Sequence, residues 1–232
     1  MTTGKNYTDI HIIGNGNSCE NFLKWEQDNH GSPLVIGCNF SDVRFDPAFT
    51  IITDITPIKT IIGDPNMTLQ IPAVISDRAD NYVKTSLKGW QRVPQGKINV
   101  IDVFRRYKRD QSISKNIPPS SAHNALHYGL TKFSSCVKTV HLWGIHAFWT
   151  TDITSKTDPL VKKRGNRNKP TVTKVWNAYW KRMFSDLKND QYEIVIHCPC
   201  LESGNKARQV LPETDFPMVK MAVNYRLPAL MS

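Results

Sequence analysis

The sequence predicts an α/β protein: a Rossmann-like, mostly parallel sheet with helices on both faces and a basic lid segment. Three short apolar runs support this prediction, at residues 9–13, 34–39 and 49–54. Each is rich in β-branched residues and ends in small or polar ones. Such runs, spaced by helical or loop-like segments, are typical of neighbouring parallel strands whose carboxyl ends meet at one crevice.

Length and composition favour one domain. The chain has 232 residues, of which 40% are hydrophobic, enough for a sizeable core. We expect a nucleotide-binding domain over residues 1–206 and a C-terminal tail over 207–232, which carries three prolines. No apolar run approaches the ~20 residues that span a bilayer, and the first five residues are too polar to begin a secretory signal. We therefore expect a soluble, cytoplasmic protein without a transmembrane segment.

The net charge of +10 is concentrated in one segment. Residues 156–188 hold ten Lys or Arg against two Asp, while the rest of the chain is nearly balanced. A local excess indicates a local anionic partner, such as a phosphate, at least as much as a nucleic-acid footprint. Nucleic acid is therefore the less favoured partner, and the sequence leaves a homo-oligomer open.

A glycine-asparagine turn follows the first apolar run. Its residues are Gly14, Asn15, Gly16, Asn17 and Ser18. Glycines let a ligand approach the backbone, and a serine can cap the helix that follows, which leaves N–H groups for an anion. We predict that this turn binds a nucleotide phosphate, although a plain strand-to-helix turn would use the same residues.

The next polar positions are Asn39 and Asp54, at the ends of the second and third runs. We expect both side chains to lie at the same crevice as the glycine-asparagine turn and to contact the nucleotide. For Asp54 the alternative is a turn-capping role before Pro57. Beyond them, residues 74–90 have a helix-like pattern and residues 98–101 have the composition of a strand. Residues 102–109 are predicted to form a short basic helix or arm.

The pattern becomes clear again at residue 117. Two prolines stop the preceding segment, and Ser120 or Ser121 caps a slim apolar helix that extends to Phe133. Residues 137–144 then form a strand, and Gly144 ends it where a backbone must turn sharply or approach a ligand.

The last third contains a long polar segment between two well-patterned elements. Residues 150–170 have no hydrophobic period, and such long loops are usually lids or disordered. A helix with an apolar face follows over residues 172–187, then a strand over 193–197. Five cysteines, with only Cys198 and Cys200 close together, indicate reduced and mostly buried thiols rather than disulfides or a zinc site.

Histidines supply the candidate general bases. His123 lies at a helix start and His146 at a strand end, and each is a candidate to accept a proton, with structural hydrogen bonding as the alternative. His11, His141 and His197 lie within apolar strands, so we expect them in the core.

The order of these motifs resembles the small bacterial sialyltransferases that use CMP-sialic acid. The resemblance covers most of the chain, and a related one is to the motility-accessory-factor and pterin-pyrophosphokinase-like proteins. It implies a metal-independent glycosyltransferase without a cofactor, whose donor is a nucleotide-sugar of the CMP-linked type. It also implies that Asn15, Gly16, Ser18 and Asn39 meet the nucleotide and that Ser120 or Ser121 meets the sugar. That family has an aspartate where His146 stands, a tyrosine where His141 stands and a lid histidine that this segment lacks.

Three function classes follow. The first is a glycosyltransferase that moves a sugar from a nucleotide-sugar to an acceptor glycan or another hydroxyl by direct displacement. In it the lid cations, namely Lys162, Lys163, Arg164 and Arg167, would offset phosphate charge. The second is a nucleotide-binding protein without chemistry, and the third is a structural or assembly protein, of the kind a phage encodes, that retains this fold.

Overall fold

The computed structural model describes residues 7–29, 33–150, 170–187 and 192–224. In these residues eight strands form one sheet in which every neighbouring pair is parallel. The spatial order is β5-β4-β3-β2-β1-β6-β7-β8. The strands are β1 (Asp9–Ile13), β2 (Leu34–Cys38), β3 (Phe49–Ile52), β4 (Ala73–Ser76), β5 (Val100–Phe104), β6 (Thr139–Trp143), β7 (Glu193–Cys198) and β8 (Val219–Val223). The predicted Rossmann-like parallel α/β fold is confirmed.

Six α-helices are described with this sheet. They are α1 (Asn21–Asp28), α2 (Ile55–Gly63), α3 (Asp77–Ser86), α4 (Ser121–Phe133), α5 (Pro170–Asp186) and α6 (Leu201–Val210). Strand side chains alternate between faces, and β1 shows the consequence. Ile10 and Ile12 pack in one core cluster with Leu126 of α4. Ile13 packs in another cluster with Phe22 of α1. Helices therefore cover both faces of the central strands.

Three segments differ from the sequence prediction. The helix-like pattern over residues 74–90 is correct only for α3, because residues 73–76 form β4. Of the two alternatives for residues 102–109, a helix or an arm, the helix is wrong, because 102–104 belong to β5 and 105–110 have no regular structure. The predicted boundary at residue 207 falls inside α6, and β8 is hydrogen-bonded to β7 as the edge strand. Residues 207–224 therefore belong to the α/β unit, and the prediction of a tail from Ala207 is wrong for them.

The three strand histidines stack together, as expected, with His11 and His197 buried and His141 partly buried. His11 and His141 stack with ring centroids 4.3 Å apart, and the Nδ1 of His141 lies 2.9 Å from the Nε2 of His197. The indole N–H of Trp143 donates to the Nδ1 of His11 at 3.1 Å. Burial lowers the pKa of His141 to about 4 and lowers the pKa values of His11 and His197 well below their usual range. The stack is therefore neutral at pH 7.

The cysteines are free thiols in this structure. Cys19, Cys38 and Cys198 are buried, Cys136 is partly buried and Cys200 is exposed. Burial raises the pKa of each of the three buried thiols to about 12, so they are unreactive. In the described part of the chain, no helix is both long enough and apolar enough to cross a membrane.

Candidate functional site

The strand order creates a topological switch point next to β1. From β1 the chain moves outward through β2, β3 and β4 to β5, then returns through α4 to β6 on the other side of β1. Connections on the two sides of such a point diverge, which leaves a crevice outside the carboxyl ends of the strands. The sequence predicted a crevice at this edge, formed by the ends of β1, β2 and β3.

A cavity of about 360 Å³ occupies this crevice, and we call it the edge cleft. Four strand ends and the start of α4 provide most of its walls. Its lining is Gly14, Asn15, Gly16, Cys38, Asn39, Asp54, residues 117–122, residues 144–147, Trp176 and Trp180. The structure thus brings together most of the predicted nucleotide and sugar residues.

The glycine-asparagine turn does not leave its backbone N–H groups free, in contrast to the sequence prediction. The N–H of Gly14 donates to the carbonyl of Trp143 at 2.8 Å, and that of Gly16 donates to the carbonyl of Gly144 at 3.1 Å. The turn is therefore bonded to the end of β6. An anion in the cleft would have to be recognised by side chains rather than by these two amides.

Ser18 is also used differently from the prediction. It does not cap α1, which begins at Asn21 after a 3₁₀ turn over Asn17–Glu20. Its backbone N–H donates to the Nε2 of His146 at 3.3 Å, and its hydroxyl lies 3.0 Å from the same nitrogen. Because a backbone N–H can only donate, Nε2 is the unprotonated nitrogen and the hydroxyl donates to it as well. Ser18 thus positions His146 from behind the cleft wall. The side chain of Asn17 lies outside what the structure describes.

Gly16 makes room for His146. A Cβ atom at Gly16 would lie 2.5 Å from the Nε2 of His146 and 2.6 Å from the carbonyl oxygen of Gly144. Gly144 has φ +66°, and a Cβ there would lie 2.9 Å from the carbonyl oxygens of both Gly14 and Gly16. The predicted sharp turn at Gly144 is confirmed, and the backbone approach it permits is to the first glycine turn.

His123, the other candidate base, is fully buried behind the cleft wall. It forms a capping box with Ser120, whose N–H donates to the His123 Nδ1 at 3.1 Å. Nδ1 is then the acceptor, so Nε2 carries the proton and donates to the carbonyl of Trp176 at 3.2 Å. Burial lowers the pKa of His123 to about 3. Both ring nitrogens of His123 are hydrogen-bonded to backbone groups, those of Ser120 and Trp176. This geometry favours a structural role for His123.

Asn39 and Ser121 meet at the cleft wall. The Ser121 hydroxyl donates to the Asn39 Oδ1 at 3.2 Å. Asn39 has φ +54°, and its backbone is held by an N–H bond to the carbonyl of Ile51. The Asn39 side-chain NH₂ makes no hydrogen bond to another described residue. It is a donor that a ligand in the cleft can use.

Asp54 is the exposed carboxylate of the edge cleft. It occupies the N-cap position of α2, but its side chain makes no capping hydrogen bond. The Asp54 carboxylate therefore does not have the turn-capping role that was the alternative prediction. No ion pair or hydrogen bond involves this carboxylate among the described residues, so it can accept a proton or a ligand hydroxyl.

Two tryptophans of α5 line the cleft, although the sequence pattern does not assign them to it. The indole N–H of Trp176 donates to the carbonyl of Pro118 at 3.1 Å, which places this partly exposed ring beside the prolines before α4. Trp180 is buried and stacks on His123 at 3.9 Å. Their helix contacts α4 across more than 50 residues of sequence, so no local pattern could have indicated these positions.

The described walls of the edge cleft contain no Lys or Arg. The predicted lid cations, Lys162, Lys163, Arg164 and Arg167, lie outside the described residues. In residues 7–29, 33–150, 170–187 and 192–224, no group of three or more His, Cys, Asp or Glu is arranged to hold a metal ion. Metal independence nevertheless stays a prediction. The side-chain polar groups of the described cleft are hydroxyls, amides, a thiol, an imidazole, two indoles and one carboxylate.

Comparison with known proteins does not identify a family. No protein-family model matches the chain, and no curated protein matches it. A search of solved structures finds glutamate racemase from Francisella tularensis subsp. tularensis SCHU S4, in complex with D-glutamate, at 10% identity over 88% of this chain and 93% of the racemase chain. The TM-score is 0.18, so this similarity carries no argument about fold or function.

Proposed function

We propose that the protein is a glycosyltransferase that binds a nucleotide-sugar in the edge cleft and transfers the sugar to a hydroxyl acceptor. The observation that carries the proposal is the cleft at the topological switch point, where open parallel sheets bind nucleotide-type ligands. The motif order that resembles the CMP-sialic-acid-dependent sialyltransferases supports the same class.

The walls of the cleft suit a sugar. Hydroxyl and amide groups, including the NH₂ of Asn39, can pair with sugar or ribose hydroxyls. The partly exposed indole of Trp176 offers a flat surface for a sugar ring or a base. Recognition in the described cleft therefore rests on neutral hydrogen bonds and one aromatic face.

Asp54 is the group in the cleft that can act as general base. In a direct displacement the acceptor oxygen forms a bond to the anomeric carbon while the bond from that carbon to the donor phosphate breaks. The acceptor proton passes to the Asp54 carboxylate, and the nucleotide leaves with the bonding electron pair. His146 faces the same cleft, but its Nε2 already accepts two hydrogen bonds from Ser18.

A transfer assay with CMP-, UDP- and GDP-sugars tests this proposal. We expect Asp54→Asn to lower turnover about a hundredfold or more while leaving donor binding within a few-fold. Asp46→Asn is the matched control, because Asp46 is exposed, does not line the cleft and has φ +43°, which asparagine tolerates. If His146→Gln abolishes transfer while Asp54→Asn retains it, the assignment of Asp54 is wrong.

One observation favours a second candidate, a nucleotide-binding protein without chemistry. The described walls hold no Lys or Arg to offset the charge of a departing phosphate. Saturable donor binding without release of sugar or nucleotide from any donor would support this candidate over the transferase.

A further inference from the structure

A second cavity, of about 540 Å³, adjoins the edge cleft along Pro118 and Pro119. We call it the basic pocket. It lies where β3, β4 and β5 end, and five cations and one carboxylate line it. The charged residues are Arg78, Arg105, Arg106, Lys108, Arg109 and Asp77.

The segment that supplies most of these cations is fixed to the fold. The backbone N–H of Tyr107 donates to the side-chain oxygen of the buried Asn124 at 2.8 Å. The Tyr107 hydroxyl donates to Asp186 of α5 at 3.1 Å. These two bonds fix the position of the segment between β5 and α4, so its cations line the pocket at defined positions.

Most of the positive charge in the basic pocket is not neutralised by the protein. Arg106 pairs with Asp77, with Nε and Oδ1 3.0 Å apart. Arg105 and Lys108 are exposed and have no ion pair among the described residues. Several cations around one concave surface raise each other's free energy until an anion binds between them.

An unsatisfied hydroxyl provides independent support for a ligand. Thr53 lines the basic pocket and is 2% exposed, and its Oγ1 has no hydrogen-bond partner. A buried hydroxyl without a partner is costly, and most native structures satisfy such groups. The oxygen itself has almost no solvent-accessible surface, so a phosphate oxygen becomes its partner when the threonine side chain turns towards the pocket.

We propose that the basic pocket binds the phosphate of a small phosphorylated acceptor, such as a sugar phosphate. This inference rests on the proposed transferase function, since Thr53 lines the basic pocket and the next residue, Asp54, lines the edge cleft. Their Cα atoms are about 3.8 Å apart. An acceptor whose phosphate lies beside Thr53 therefore presents its hydroxyl near the Asp54 carboxylate.

The shape of the surface favours a small phosphate over a nucleic acid. The cations surround one cavity of the size that small ligands occupy, whereas a nucleic-acid backbone is usually met by a longer basic stripe. The phosphate of the nucleotide-sugar donor is the other anion in the reaction. A competition experiment between donor and inorganic phosphate shows whether the basic pocket binds the acceptor phosphate or the donor phosphate.

Isothermal titration calorimetry with inorganic phosphate and with a hexose 6-phosphate tests the inference. We expect one saturable site for each ligand, about tenfold weaker in Arg105→Ala and in Lys108→Ala, a loss of about 1.4 kcal/mol. Lys24→Ala is the matched control, because Lys24 is an exposed lysine of α1 that does not line the pocket. It should bind phosphate like the wild type.

Two further variants separate this site from the edge cleft. Thr53→Val should also weaken phosphate binding, whereas Ser121→Trp, which fills the edge cleft, should block nucleotide-sugar and leave phosphate binding intact. The inference is overturned if no phosphate binds, if Lys24→Ala weakens binding as much as Lys108→Ala, or if nucleotide-sugar displaces phosphate from the site. If the protein binds an oligonucleotide and Lys24→Ala and Lys108→Ala weaken that binding equally, the surface is an extended nucleic-acid footprint and the phosphate inference is wrong.

Discussion

At the residue scale, close approach rather than anion binding accounts for the first glycine turn. Gly14, Gly16 and Gly144 let two strand-end loops touch, and a bond from Gly16 to Gly144 joins them. His146 fits above Gly16 because no Cβ is present there. The glycines thus shape the cleft floor, and their conformational freedom matters at Gly144, where φ is positive.

Replacing Gly16 by alanine should destabilise the protein. The new Cβ would meet His146 and the Gly144 carbonyl, and overpacking of this kind costs about 1–3 kcal/mol. Gly63→Ala is the control, because a Cβ added at this exposed position of α2 would meet no atom within 4 Å, and alanine there should raise stability by up to about 1 kcal/mol. Urea unfolding measures both, and equal midpoints would contradict this account of Gly16.

His123→Ala should reduce stability, because His123 ties the start of α4 to α5. The change removes a capping box, the bond to the Trp176 carbonyl and the stack on Trp180, together about 2–4 kcal/mol. His127→Ala, at a half-buried position of the same helix, should cost less than about 1 kcal/mol. A stable His123→Ala protein that has lost sugar transfer would instead make His123 a catalytic base.

At the element scale, the last third of the fold depends on residues that carry little sequence signal. Helix α6 contains Ser203 and Gly204, and β8 is a short run that follows Pro217. The apolar residues of α6 and β8 do not show a helix or strand period by themselves. They become buried because β8 pairs with the edge of β7. Strands β1, β2, β3, β6 and β7 and helices α4 and α5 were predicted well because their periodicity is local. Helix α6 and strand β8 were missed because their burial is set by tertiary contacts, and β4 was missed because it lies next to a stretch with a helix-like pattern.

Core substitutions in this region test whether it belongs to the fold. Phe216 is buried against Phe184 and Met221 is buried on β8, so Phe216→Ala and Met221→Ala should each lower the free energy of unfolding by about 2–5 kcal/mol. Leu201→Ala, at a side chain that is 64% exposed, should change it by less than about 0.5 kcal/mol. Three equal, small effects would indicate a loosely attached tail.

At the scale of the whole molecule, buried neutral histidines link stability to pH. Burial lowers the pKa values of His11, His123, His141 and His197 in the folded state, whereas about 6.5 is expected when the chain is unfolded. The unfolded chain then binds more protons below pH 6.5, so stability is complete above that pH and falls as the pH decreases towards the folded-state values.

Urea unfolding at pH 7.5, 6.5 and 5.5 measures this linkage. By pH 5.5 each of the four histidines should cost on the order of 1 kcal/mol, while carboxylates with usual pKa values near 4 remain ionised. The urea midpoint should therefore fall steeply between pH 6.5 and 5.5 and little between pH 7.5 and 6.5. A midpoint that does not change between pH 7.5 and 5.5 would show that these histidines are hydrated or charged in the folded protein.

The sheet order also explains how much of the site was predictable. Polar strand ends at Asn39 and Asp54 could be placed at one edge from the sequence, because parallel strands share that edge. The bond between Ser18 and His146, the tryptophan wall and the basic pocket could not, because each joins segments that only the complete fold brings together.

The central claim is that the edge cleft binds a nucleotide-sugar, and calorimetric titration of the wild type with CMP-, UDP- and GDP-sugars tests it most directly. We predict saturable binding of at least one donor at one site per chain. The binding should disappear in Ser121→Trp, which fills the cleft, and persist in Thr131→Trp, an exposed position near the other end of α4. Absence of binding for every donor, or equal binding by both tryptophan variants, would contradict the claim.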